Sequence, residues 1–155
     1  MKTKLLLATL LAFTLADFAA AKEQVPFKGS LAIVQTGEVQ GATLIVNGTG
    51  TGHGTHLGRF TLTYQEQVDL QTGIGVGTVV FTAANGDSVF AVFTGQAAPT
   101  SDPNVLSLTE VYTITGGTGR FNDATGGFTL ERLLNLTTGI SSGSFKGTVS
   151  RVGKH

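Results

Sequence analysis

The stretch Leu106–Thr115 reads LSLTEVYTIT, and its pattern decides the fold class. Every second position is large, in the order Leu106, Leu108, Glu110, Tyr112, Ile114. The positions between them are serine, threonine and one valine. Strand side chains alternate between two faces, so this pattern predicts a β-strand with one buried face. We find no comparable helical period beyond the first twenty residues.

Three charged residues fall in the apolar phase of predicted strands. Glu110 does so in the stretch above, Glu66 in Arg59–Leu70, and Arg132 in Phe128–Leu136. Alternation therefore predicts that all three point the same way as the leucines and aromatics. A buried charge is costly unless it is paired or hydrogen-bonded, so these positions are the strongest hint of chemistry in the chain.

The composition fits strands joined by tight turns. The chain of 155 residues has 22 glycines, 3 prolines and only 13% charged residues. About eight strand-like runs recur along it, as expected for an antiparallel sandwich or barrel. Glycines inside predicted strands, such as Gly75, Gly77 and Gly147, favour the sharp coiling of a small closed barrel. The runs are Phe27–Thr36, Ala42–Gly48, Arg59–Leu70, Ile74–Ala84, Ser88–Gly95, Leu106–Thr115, Phe128–Leu136 and Ser142–Val152.

Turn signals lie between these runs. Asn85-Gly86 predicts a hairpin with a type I′ turn, because both residues tolerate positive φ. Ala97–Asn104 contains two prolines and predicts the longest surface loop. The glycine-rich stretch Gly116–Gly127 is expected to carry a short helical turn.

The N-terminus predicts a secretory signal peptide over residues 1–21. Lys2 and Lys4 precede the apolar run Leu5–Leu15, and Ala19-Ala20-Ala21 provides small residues for cleavage. The apolar run is too short for a stable membrane anchor. We therefore expect a secreted or periplasmic protein with a single domain, residues 22–155.

Charge and cysteine content exclude several function classes. Without its signal the chain keeps eight basic and nine acidic residues, a balance that disfavours nucleic acid and anionic membranes as partners. The chain has no cysteine, so it has no disulfide, thiol nucleophile or thiolate metal site.

Two glycine-rich segments carry a resemblance to a known family. They are Ile114–Phe128 (ITGGTGRFNDATGGF) and Gly54–Thr61 (GTHLGRFT). Both resemble exported bacterial members of the allene oxide cyclase barrel-like and dirigent-like proteins. The resemblance implies an all-β fold, a closed eight-stranded antiparallel β-barrel of calycin-like type with an apolar interior cavity. It also implies a homo-oligomer by analogy. The cavity cysteine of the plant cyclases has no counterpart here, so fold is carried over and catalysis is not.

The candidate ligand-binding residues are those of the polar cluster expected inside the barrel. They are Glu66, Glu110, Arg132, Tyr64 and Tyr112. Arg132 could form a forked contact with a carboxylate or with a ligand's acid group. A desolvated carboxylate could act as general acid or base, and the tyrosines could orient a ligand. The alternatives are a structural ion pair, or a bulge that turns one charge outward.

Other motifs predict no site. His53 and His56 are three apart, so on a strand they would face opposite sides, and we expect no metal. Gly116–Gly119 lacks the lysine of a phosphate-binding loop, and no Gly-x-Ser-x-Gly motif indicates a hydrolase. We expect no cofactor.

Three functions remain open at the level of the sequence. The favoured one is a module that binds a small apolar or amphipathic molecule inside the barrel. The second is an isomerase or cyclase that uses a cavity carboxylate. The third is a structural or assembly protein whose barrel is filled by its own side chains, since an eight-stranded barrel can be that tight.

Overall fold

The computed structural model describes residues 21–153, which form a closed barrel of eight antiparallel strands. The predicted signal peptide lies outside the described residues except for Ala21. No helix within residues 21–153 is long and apolar enough to cross a bilayer. The strands are β1 (Gln24–Gln40), β2 (Thr43–Gly54), β3 (Gly58–Asp69), β4 (Ile74–Ala83), β5 (Ser88–Pro99), β6 (Val105–Gly117), β7 (Gly126–Asn135) and β8 (Ile140–Ser150).

Each strand pairs with the next one along the chain, and β1 pairs with β8 to close the barrel. Closure joins residues 24–34 to residues 140–150 and leaves no free sheet edge among the eight strands. The turns alternate between the two ends. We call the end with the connections 41–42, 70–73, 100–104 and 136–139 the open end, and the other the closed end.

The interior near the closed end is filled by a cluster that we call the aromatic plug. Phe27 lies 5.3 Å from Phe128 and 5.1 Å from Phe145 between ring centroids. These tilted and edge-to-face contacts are the favoured arrangements of aromatic rings. A short 3-10 helix, Gly119–Phe121, adds the buried Phe121 at this end. The plug consists of Phe27, Phe60, Phe81, Phe128 and Phe145.

A row of inward glycines on β2 makes room for the large side chains. A Cβ atom at Gly48 would collide with the Tyr64 ring, and one at Gly52 would collide with Phe60. At Gly54 a Cβ would lie 2.9 Å from the ring of Phe145. From Gly48 to Gly54 the inward face of β2 therefore has no side chains, and aromatic rings from other strands fill the space.

The three inward charges keep their predicted phase because the register shift in the β5–β6 ladder lies away from all of them. The register of β5 with β6 shifts between Phe90 and Ala91, close to the closed end. Glu110 pairs with Gly95 in the regular part of the same ladder. The alternative of a bulge that turns a charge outward is thus wrong for all three residues.

The hairpin at Asn85-Gly86 is confirmed, but the type I′ turn is wrong. Gly86 has a φ of +91°, whereas Asn85 is not among the residues with positive φ. Gly86 N donates to Ala83 O, and Ala83 N donates to Asp87 O. The loop thus holds three residues, a type I turn followed by a left-handed glycine. The side-chain oxygen of Asn85 accepts from Asp87 N, which stabilises this geometry.

Other predicted boundaries change by a few residues. The strand β5 continues to Pro99, which pairs with Leu106, so the predicted loop 97–104 shrinks to residues 100–104. A proline is acceptable at the last position of a strand. The predicted helical turn in Gly116–Gly127 is confirmed as the 3-10 helix.

Candidate functional site

The structure places all three predicted charges inside the barrel, between the aromatic plug and the open end. Their relative exposures are 8% for Glu66, 2% for Glu110 and 3% for Arg132. We call these residues and their polar neighbours Tyr64, Tyr112, Gln35 and Ser141 the charged layer. Each faces inward because it continues the inward phase of its strand.

Arg132 and Glu110 form a buried ion pair. Arg132 Nη2 donates to Glu110 Oε1 at 2.6 Å, and Arg132 Nε lies 3.2 Å from both carboxylate oxygens. The two side chains come from neighbouring strands, where Arg132 pairs with Leu108 and Glu110 with Leu130. They are therefore diagonal neighbours, a separation that long side chains span. Burial lowers the pKa of Arg132, but hydrogen bonding and charge from Glu110 outweigh it and raise the pKa overall.

The rest of the guanidinium is held by two residues that the sequence did not single out. Arg132 Nη1 donates to Gln35 Oε1 at 2.7 Å and to Ser141 Oγ at 2.8 Å. Gln35 follows Leu31 and Ile33 in the inward phase of β1, so its position was readable from the sequence. Ser141 lies one residue before the predicted start of the last strand, Ser142, so alternation did not place it inside the barrel.

The two predicted tyrosines complete the charged layer. Tyr64 OH donates to Gln35 Oε1 at 2.8 Å, and its ring lies 5.6 Å from Arg132 Cζ. Tyr112 OH donates to Glu110 Oε2 at 3.0 Å. Burial, opposed in part by Arg132, raises the pKa of Tyr64 to about 12. Burial and the charge of Glu110, opposed by Arg132, also raise the pKa of Tyr112 well above its ordinary value, so both tyrosines remain neutral donors near neutral pH.

Glu66 differs from every other member of the charged layer. Within residues 21–153 no hydrogen bond or salt bridge reaches its carboxyl group. Inward glycines leave space around it, since a Cβ at Gly75 would collide with Glu66 Oε1. Burial and the charge of Glu110, opposed by Arg132, raise the pKa of Glu66 to about 7. The Glu66 carboxyl group therefore gains and loses its proton near neutral pH.

A cavity of about 390 Å³ lies between the charged layer and the open end. Both Glu66 and Glu110 line it, and aliphatic side chains form a collar around its mouth. The collar consists of Leu44, Val68, Leu106, Leu108, Leu134 and Leu136. The grooves on the outer wall contain none of the buried charges. The interior cavity is therefore the candidate site.

The remaining sequence motifs contribute no second site. His53 is exposed on β2, and His56 is exposed in the β2–β3 turn with a φ of +64°. Among the described residues no group of three or more His, Asp or Glu side chains is arranged to hold a metal ion. In the glycine loop, Thr118 Oγ1 accepts from Ser88 N, which joins the loop to the start of β5.

Comparison with known proteins supports the fold alone. No family model matches the chain, and no curated protein matches it. Among solved structures it is similar to the pterocarpan synthase dirigent protein, with 14% sequence identity and a TM-score of 0.59. The match covers 94% of this chain and 98% of that one. The predicted dirigent-like closed barrel is thus confirmed, while an identity this low leaves function to the site itself.

Proposed function

We propose that this barrel binds a small amphipathic molecule in its interior cavity. The apolar part of the ligand would lie against the aliphatic collar, and its polar group would meet Glu66 in the charged layer. The observation that carries the proposal is a cavity that ends on a buried carboxyl group with no hydrogen-bond or salt-bridge partner among residues 21–153. Its volume of about 390 Å³ falls within the usual range of ligand pockets.

The glycines at the mouth of the cavity favour a binding function over the alternative of a barrel filled by its own side chains. Gly37, Gly73, Gly75, Gly95 and Gly139 all line the cavity. Near the closed end the protein fills the same cross-section with phenylalanine rings. The plug blocks that end, so a ligand would enter and leave through the collar.

The first test is native mass spectrometry of protein purified from its own host, followed by organic extraction. A stoichiometric small molecule would support the proposal and identify the ligand class. Uptake of an apolar fluorescent probe provides a second measurement. No bound molecule together with no probe uptake would favour the filled barrel and overturn the proposal.

A matched pair of variants locates the binding. Leu108→Trp places a large ring in the cavity, because Leu108 lines it. Val111→Trp places the same ring on the outer face of the same strand, where Val111 is 55% exposed. Probe binding should be lost in the first variant and retained in the second.

A second candidate function is proton-transfer catalysis, such as an isomerisation or cyclisation. The raised pKa of Glu66, about 7, favours it, because a general acid or base works best near the operating pH. The dirigent protein of similar fold is a pterocarpan synthase, which is in keeping with chemistry in such a barrel. Incubating the extracted molecule with the protein tests this candidate. Glu66→Gln should then abolish turnover even at ligand concentrations that saturate the variant.

A further inference from the structure

The exposed cations of residues 21–153 lie in one half of the barrel, whereas acidic residues lie at both ends, with Glu23, Asp87 and Asp123 near the closed end. Within residues 21–153, every lysine and arginine except Arg132 lies in the half nearer the closed end. The acidic residues Glu38, Asp69 and Asp102 lie at the open end, next to the mouth of the cavity. A ligand that approaches the mouth therefore meets a negative field. The cations of the closed half are Lys22, Lys28, Arg59, Arg120, Lys146 and Arg151.

Arg132, the one interior cation among residues 21–153, is not available to a ligand. Arg132 directs its donors at Glu110, Gln35 and Ser141, at distances between 2.6 and 3.2 Å. The guanidinium and the Glu110 carboxylate neutralise each other. A ligand's acid group would therefore find no free cation in the charged layer, and it would lie next to Glu66.

We infer that the site selects a cationic amphiphile, an amine with an apolar tail, over a neutral or acidic molecule of the same length. The inference rests on the proposed binding function. The ammonium group would donate to the unpartnered Glu66 carboxylate, and the tail would lie against the collar. Glu66 is only 8% exposed and lines the cavity, so the contact forms largely away from water.

The inference requires binding to depend on pH. The titratable and charged groups that act on Glu66 are Glu110 on β6, Arg132 on β7 and Tyr64 on its own strand. The strands β4 and β5 face it with Gly75 and Gly95. Arg132 and the tyrosines keep their charge states near neutrality, so Glu66 is the group that titrates there. An alkylamine stays protonated until about pH 10, as lysine does. Amine affinity should thus rise with pH as Glu66 loses its proton.

The experiment compares octylamine, octanol and octanoate as competitors of an apolar fluorescent probe on the full-length protein. We expect octylamine to bind about ten- to hundredfold tighter than octanol at about pH 8, the range of a charge-assisted hydrogen bond. The preference should shrink at about pH 5, where Glu66 is protonated. Octanoate should be the weakest of the three at the higher pH.

Two variants assign the preference to Glu66. Glu66→Gln keeps the size of the side chain and removes its charge, so octylamine and octanol should bind alike and without pH dependence. Glu131→Gln makes the same change on the exposed face of β7 and should behave as the unmodified protein. An amine preference that survives in Glu66→Gln, or octanoate binding as tightly as octylamine, overturns the inference. If none of the three competes and no probe enters, the binding function itself fails.

Discussion

The two halves of the barrel interior follow the same alternation of side chains, but one is filled with aromatic rings and the other contains charged groups and a cavity. Near the closed end the inward positions hold the aromatic plug, whose contacting rings have centroids 5.1 to 6.4 Å apart. Toward the open end they hold an ion pair, a free carboxyl group and glycines around a cavity. The plug gains stability from buried apolar surface, whereas the charged layer buries groups that water would otherwise solvate. The comparison indicates that one half supports the fold, whereas the other half leaves space and buries charge at a cost in stability, as the proposed binding function requires.

The largest expected effect comes from the plug. Phe81 is 1% exposed and contacts Phe60, Phe128 and Phe145. Phe81→Ala should lower the free energy of unfolding by about 3–5 kcal/mol, because it leaves a cavity among rings. Denaturant unfolding measures this loss. Probe affinity of the folded fraction should be unchanged, and a large fall in that affinity would contradict the division into two halves.

The next effect comes from breaking the ion pair. Arg132→Met should lower the free energy of unfolding by about 3 kcal/mol, because it leaves Glu110 buried without its partner. The double variant Glu110→Leu/Arg132→Met should recover most of that loss, since apolar side chains of similar volume replace the whole pair. A double variant as unstable as the single one would show that the ion pair itself stabilises the barrel.

Glu66 should make stability depend on pH in the opposite sense to a paired carboxylate. Its pKa is raised from 4.5 to about 7, so the folded state holds its proton more tightly than the unfolded state. Stability should therefore fall as pH rises from about 4.5 to about 7. Glu66→Gln should be more stable than the unmodified protein at about pH 8, by about 2–3 kcal/mol at most, and similar to it at about pH 4. Glu131→Gln is the control. If the free energy of unfolding of Glu66→Gln changed with pH in the same way as that of the unmodified protein, the assignment to Glu66 would be contradicted.

The smallest effect should come from the edge of the hydrogen-bond network. Tyr64→Phe removes the donor to Gln35 Oε1, which still accepts from Arg132 Nη1. We expect a loss of about 0.5–1 kcal/mol in the free energy of unfolding, because no buried acceptor is left without a partner. Thermal unfolding resolves a change of this size, and a loss comparable to that of Arg132→Met would show a network that acts as one unit.

Alternation in the sequence predicted the strands and the inward charges because it depends only on period two. It held for Glu66, Glu110 and Arg132, since the register shift lies away from them. Gln35 was not singled out although its inward phase was readable, because an uncharged polar side chain at an inward position is less conspicuous than a charge, and Ser141 lay outside the predicted bounds of β8. The sequence also could not say which carboxylate pairs with Arg132. That choice depends on strand order and register together, which place Glu110 diagonally next to Arg132 on the neighbouring strand and Glu66 on the opposite side of the barrel.

The seam between β1 and β8 also governs how the chain can reach its native state. Every other pair of neighbouring strands is a hairpin that can form as soon as both strands exist. The last seam joins Gln24–Val34 to Ile140–Ser150 and needs nearly the whole described chain. Until β8 is in place, β1 and β7 both present unpaired edges that can recruit strands from other molecules. Non-local pairing of this kind slows folding, so the period before closure is when the protein is most exposed to aggregation.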